Sequence, residues 1–272
     1  MMLRYWQDVP PSAQIVAPLR GAAGAGALVW DPVLGPIPIP ASAQPGGFSC
    51  LIAFAGITPM TGQALEGNAL LAEATLKAAF AASIPRVLLT SSSAVYGMPQ
   101  GNTAFNEDAP RVPCNPYGAA KAAMERVCDA WRARGLEICV LRIGNVAGAD
   151  ALILNGQKAG GGSPLQIDQF SDGHGPRRSY IGAASLARVV ESLAWSGAVL
   201  PQVLNIAAPG PVDMVDLAQA AGMPWMWRAA PQAAVQHITL DPARLSALHA
   251  FDPAESDPVE MVRQWHQLKD MQ

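Results

Sequence analysis

Short apolar runs alternate with longer helical patterns through the first two thirds of the chain. That alternation predicts βαβ units around a parallel sheet. Residues 14–18 (QIVAP) and 27–30 (ALVW) read as short strands, followed by a Pro/Gly-rich loop over 31–47. Residues 50–55 (CLIAFA) read as a buried strand and 86–91 (RVLLTS) as another, ending in a serine cluster. Between them, 67–82 is a helix rich in strong helix formers. Asn115-Pro116 opens the next helix, with Asn as N-cap and Pro at the first helical position. It runs to about Arg134, where Gly135 stops it, and 137–143 (EICVLRI) is the next strand.

Beyond a Gly-rich break at 159–164 the elements shorten. Residues 184–196 and 212–221 read as helical, 202–207 as strand-like, and 258–268 as a closing helix. The expected division is a dinucleotide-type domain over 1–160. A smaller lobe, mainly 161–272, returns some segments to the first domain.

Composition narrows the class. Half of the 272 residues are hydrophobic and 14% are charged, which suits a well-buried core and argues against disorder. The net charge of −3 and the lack of a basic run give no reason to expect a nucleic-acid partner. No apolar stretch is long enough to span a membrane. The four cysteines show no Cys-x-x-Cys spacing and the four histidines are scattered. They read as reduced, mostly buried thiols in a cytoplasmic chain without a metal site.

The chemistry concentrates in Ser91-Ser92-Ser93-Ala94-Val95-Tyr96-Gly97 and, about twenty residues on, Tyr117-Gly118-Ala119-Ala120-Lys121. A Tyr and a Lys four apart on a helix point the same way, one turn above the other. With a hydroxyl from a neighbouring strand end they form a proton-transfer device. The ammonium favours the phenolate, and the second hydroxyl holds a carbonyl or alcohol oxygen.

This Ser…Tyr-x-x-x-Lys set resembles the short-chain dehydrogenase/reductases, and its wording (LLTSSSAVYG, NPYGAAK) resembles the extended branch, the NAD-dependent epimerase/dehydratase family. The resemblance runs through LIAFAGITP, LRIGNVAG, RRSYIGAASLARVV and VLNIAAPGPVDMVDLAQ. It implies a Rossmann-type doubly wound parallel sheet with a small C-terminal substrate lobe. The implied activity is NAD(P)-dependent epimerisation or oxidoreduction of a hydroxyl or carbonyl substrate, possibly a nucleotide sugar.

Residue by residue, the resemblance implies Tyr117 as acid/base, Lys121 as the group that lowers the Tyr pKa and binds the nicotinamide ribose, and Ser92 as the active hydroxyl, with Ser93 as backup. Ala55, Gly56, Asn68, Ser91 and Ile143 join Tyr117 and Lys121 as implied cofactor contacts. Asn145, Arg178 and Ser93 are implied substrate contacts. Arg20 stands where an acidic residue would bind the adenosine ribose, so it favours NADP over NAD; Asp31 either touches the adenine or caps a turn. The Tyr-bearing helix and its neighbour make a homodimer possible. Trp225 and Trp227 read as packing or a pocket wall, and His237 as structural.

Departures from the family pattern matter. Ser93-Ala94 replace the Asp-Glu of its dehydratases, Ala147 an aromatic, and Gly182, Ala184 and Ser185 a His and an acidic pair. The expected opening strand and Gly-x-x-Gly-x-x-Gly turn do not head this sequence. Met1–Trp6 looks like the back half of the helix after that turn, so the sequence reads as lacking roughly fifteen to twenty residues. Gly21–Gly26 is a rival phosphate turn. Two other readings stand beside the enzyme: a catalytically silent Rossmann-like binding protein, and a truncated fragment.

Overall fold

The computed structural model describes residues 2–11, 14–17, 30–38, 47–158 and 163–269. Its elements run α1 (Met2–Asp8), β1 (Cys50–Ala53), α2 (Gly67–Ala81), β2 (Arg86–Ser92), α3 (Pro116–Arg132) and β3 (Glu137–Ile143). Next come β4 (Asn145–Val146), α4 (Ala151–Lys158), β5 (Leu165–Gln169), β6 (Arg177–Arg178), β7 (Tyr180–Ile181) and α5 (Ala183–Ala194). The last third holds β8 (Val203–Ile206), β9 (Val212–Asp213), α6 (Met214–Ala220), β10 (Trp225–Ala229), β11 (His237–Ile238), α7 (Ala243–Ser246) and α8 (Pro258–Lys269).

The main sheet has the order β1-β2-β3-β8, with every neighbouring pair parallel. Side chains alternate across it. Val87, Leu89 and Val140 face Leu76 and Ala79 of α2 and Met124 and Cys128 of α3. Leu88, Cys139 and Leu141 face Val189, Val190 and Leu193 of α5. With helices on both faces, β2 and β3 read as continuous apolar runs rather than alternating ones. Each fully buried Leu or Val here contributes about 1.5–3 kcal/mol. This is the expected Rossmann-type α/β architecture.

A third cluster lies outside the sheet, where Ile167, Val212, Leu217, Met261 and Trp265 pack together. Trp225 and Trp227 join it, edge to face at 4.9 Å, which assigns them to packing.

Several expectations are corrected. Residues 14–17 form no strand; they run as irregular chain beside α1. Residues 27–29 lie outside the described set, and Trp30 is irregular, its indole donating to the Gly35 carbonyl at 3.0 Å. The strand expected over 50–55 ends at Ala53. Only Ala53 is buried, and Phe54 and Ala55 are exposed. The reason is position: β1 ends the described sheet, and a cavity of about 660 Å³ lined by Met2, Trp6, Ile15, Phe48, Leu51 and Ile52 runs beside it.

The helix expected from 212 begins at Met214, because Val212–Asp213 pairs antiparallel with Arg177–Arg178. Asp213 then caps α6, accepting from the Val215 amide at 2.9 Å. Most of the break at 159–164 also lies outside the described residues. Among the described residues no helix is long and apolar enough to cross a membrane.

All four cysteines carry free thiols, but Cys114 is exposed rather than buried. Burial pushes the thiols of Cys50, Cys128 and Cys139 up to about 12. A thiol-reactive reagent at neutral pH should therefore label Cys114 first and the others only on unfolding. Equal labelling of two or more thiols in the folded protein would contradict that.

Candidate active site

The end of β2 and the start of α3 build the site. Asn115 is extended, and its carboxamide accepts from the Gly118 amide at 2.8 Å, capping α3 with Pro116 at the first helical position. Tyr117 therefore lies in the first turn and Lys121 in the second. Beyond Ser92 the chain tightens into a one-turn 3₁₀ helix, Ser93–Val95, capped by the Ser92 hydroxyl accepting from Ala94 N at 3.2 Å.

Gly118 lets these parts meet. A Cβ there would overlap the carbonyl oxygen of Ala94, so a larger residue would push α3 off the turn that carries Ser92.

The three groups expected to act together converge. Burial raises the Tyr117 pKa, and the neighbouring Ser92 side chain opposes that rise by favouring the phenolate. Lys121 is 3% exposed and donates from Nζ to the Thr90 carbonyl at 3.2 Å, with Met124 Sδ at 3.9 Å. Burial lowers its pKa to about 8, opposed by the nearby Glu125 carboxylate, so its ammonium form prevails at neutral pH.

The other expected contacts divide. A Cβ on Gly56 would stand 3.1 Å from Lys121 Nζ, so this loop passes close over the ammonium. Ile143 ends β3 and lines the apolar cavity that continues past Ala53 and Ala55. Asn68 is 2% exposed, and its amide is committed to the backbone: Oδ1 accepts from Ile57 N at 3.0 Å, and Nδ2 donates to Ile57 O and Leu65 O, both at 2.9 Å. It holds the loop that carries Gly56 and Ile57. Asn68→Ala should cost about 2–4 kcal/mol, because two buried backbone groups lose their partner. A melting temperature equal to the parent's would contradict it.

Ser91 is likewise buried and bonded within the protein. Strand alternation turns it away from Ser92, and its hydroxyl donates to Glu125 Oε1 at 2.7 Å. Asp31 accepts from Val33 N at 2.9 Å and so caps a turn. Arg20 lies outside the described residues, as do Gly21–Gly26.

Ser93 is half-buried in the turn after Ser92, and Asn145 Nδ2 donates to the Ser179 carbonyl at 3.3 Å. Arg178 Nη1 donates to the carbonyls of Arg177 and Gln236 (2.8 and 2.7 Å) and Nη2 to that of Val235 at 2.9 Å. Three of its five donors are thus held by backbone, leaving two. Where the family pattern has a His and an acidic pair, Gln264 of α8 fills the space. Its Oε1 accepts from the amides of Ala184 and Ser185 at 3.1 and 3.0 Å. Ala147 is fully buried.

One group escaped the sequence reading. Glu125, one turn beyond Lys121, is 2% exposed. Besides Ser91 it accepts from Arg142 Nε at 3.0 Å, Arg142 Nη2 at 2.7 Å and Arg111 Nη1 at 3.4 Å. An acidic residue four beyond a candidate lysine, with an arginine inside an apolar strand, was the signal available. Among the described residues no cluster of His, Cys, Asp or Glu is arranged to hold a metal ion.

Comparison with known proteins agrees with this geometry. Residues 61–185 match the model of the NAD dependent epimerase/dehydratase family. The chain is 47% identical over 83 residues to UDP-glucose 4-epimerase of Azospirillum brasilense, a match covering 30% of this chain and 24% of that protein. The chain spans about a quarter of the length of the curated relatives it first matches.

Among solved structures it is similar to the NAD dependent NDP-hexosamine 5,6-dehydratase TunA. The TM-score is 0.67 at 17% identity, covering 94% of this chain and 87% of that one. It is also similar to UDP-glucuronic acid 4-epimerase of Bacillus cereus, solved with NAD and a fluorinated UDP-glucuronic acid. There the TM-score is 0.66 at 18% identity, covering 82% of this chain and 76% of that one. Residues 61–185, which carry Ser92, Tyr117 and Lys121 and make up just under half of the chain, are thus the stretch that is similar to the NAD dependent epimerase/dehydratase family.

Proposed function

We propose that this protein is a nicotinamide-dependent epimerase or oxidoreductase acting on a hydroxyl or carbonyl carbon of a nucleotide sugar. The observation that carries the proposal is the convergence of the Ser92 hydroxyl, the Tyr117 phenol and the Lys121 ammonium at one strand end.

The residues suit a nicotinamide dinucleotide at its ribose end. Lys121 Nζ is buried with one carbonyl partner and a weak sulfur contact, so it keeps donor capacity, and Gly56 leaves backbone-close room above it. When bound, such a cofactor supplies the hydride acceptor and donor. NAD is the proposed form, since the neighbouring structures named above hold it or depend on it. The preference for NADP rests on Arg20 alone.

The chain's own residues do the rest. Tyr117 takes or returns the proton of the substrate hydroxyl, and Ser92 orients that oxygen. Lys121, charged below pH about 8, stabilises the phenolate that forms on Tyr117. The two remaining donors of Arg178 suit a diphosphate oxygen, and its backbone clamp fixes their direction. Asn145 falls within the dinucleotide-type domain assigned to 1–160, and the segment around Arg178 falls within the C-terminal substrate lobe, mainly 161–272. The protein is assigned to the cytoplasm, acts on a small molecule and can dimerise through α2 and α3.

The test is a panel of UDP- and dTDP-sugars incubated with protein and NAD, read by proton NMR of the anomeric region. Interconversion of one 4-epimer pair is expected. A panel left unchanged by protein that binds NAD would reject the nucleotide-sugar assignment.

A further inference from the structure

Three positions one turn apart on α3 meet three consecutive residues of β2. Tyr117 meets the Ser92 side chain, Lys121 donates to the Thr90 carbonyl, and Glu125 accepts from the Ser91 hydroxyl. Two side chains and one backbone carbonyl take part, and the helix closes onto the strand end like a zip. Its deepest tooth is Glu125. The same carboxylate takes a two-point hydrogen bond from Arg142, one strand further into the sheet. Arg142 in turn donates to the Glu107 carbonyl at 3.2 Å and lies over the Tyr96 ring.

A buried carboxylate is costly unless its oxygens are filled, and here four donors fill them. Replacing such a group by an apolar one of similar volume often leaves stability unchanged, so its placement one turn below the lysine asks for another account.

We propose that Glu125 is a positioning residue. It locks the end of β2 in register with α3, so that Ser92, Tyr117 and Lys121 meet, and it sets a carboxylate one turn below the lysine. The inference rests on the reading of those three as the working group.

The groups facing Lys121 are few. From α3 come Glu125 and the Met124 sulfur, and from β2 the Thr90 carbonyl. The Gly56–Ile57 backbone and the Asn68 amide are uncharged. Glu125 is therefore the one anion in that set.

The chain has four lysines, so the ¹³Cε resonance of Lys121 can be followed in lysine-labelled protein and assigned with Lys121→Arg. No ligand is needed, so this result and the activity test fail independently. The parent should titrate near 8. In Glu125→Gln, an isosteric change, the midpoint should fall by about one pH unit. In Arg111→Gln it should rise, because a cation partly neutralising Glu125 is gone. Arg111 is one-third exposed, so that variant serves even where Glu125→Gln fails to fold. Unchanged midpoints in both variants, or in Arg111→Gln alone if only that one folds, would overturn the proposal.

Discussion

Tyr117→Phe should lower turnover by about 10²–10⁴-fold, the usual contribution of a positioned acid/base, with NADH affinity and melting temperature close to the parent's. The change removes one hydroxyl from a half-buried ring together with its contact with Ser92, so its cost in stability should stay within about 1.5 kcal/mol. Affinity should hold because Lys121, the group assigned to the ribose, is anchored by the Thr90 carbonyl rather than by Tyr117. Steady-state rates on any substrate that the panel identifies, beside a melting curve, decide it. Retained turnover would remove Tyr117 from the mechanism, whatever became of binding.

Gly118→Ala should be nearly as damaging and by another route. The residue sits in the first turn of α3 at a point where an added Cβ overlaps the Ala94 backbone carbonyl. Backbone cannot swing aside as a flexible side chain can, so α3 or the Ser93–Val95 turn must shift. Overpacking of this kind costs about 1–3 kcal/mol. A displacement near an ångström between Tyr117 and Ser92 costs on the order of 10²-fold in rate. Gly118→Ala should thus lower both the melting temperature and turnover. It should also move the Tyr117 titration, because the contact with Ser92 loosens. A variant with parental stability and rate would mean the helix and turn are not packed as described.

Much of this was legible in the sequence because local and tertiary signals agree. Asn115-Pro116 caps α3 and Gly135, at φ +92°, ends the chain's left-handed exit from it. The apolar runs of β2 and β3 are buried on both faces, so hydropathy alone locates them. Legibility failed where tertiary context overrides local pattern. QIVAP has strand-like composition, yet residues 14–17 pair with nothing among the described strands. Cys50–Ala53 looks like a central strand and is half-covered, because burial depends on neighbours that composition does not specify.

Side-chain commitments were harder still. Asn68 and Ser91 have residue types that suit a cofactor. Their polar atoms are taken by the Ile57 and Leu65 backbone just before α2 and by Glu125 on α3, and residue type alone specifies none of these partners. Glu125 drew no reading from the sequence. Only the arginine brought beside it by β3 marks it out.

The measurement that bears most directly on the account is a fluorescence titration of the 272-residue chain with NADH and with NADPH, run beside Lys121→Ala. The account predicts saturable binding with a dissociation constant on the order of micromolar. It predicts NADH at least as tight as NADPH, and a loss of tenfold or more in Lys121→Ala. No binding of either nucleotide, or binding that Lys121→Ala leaves untouched, would contradict the assignment of a nicotinamide site to the Ser92–Tyr117–Lys121 cleft.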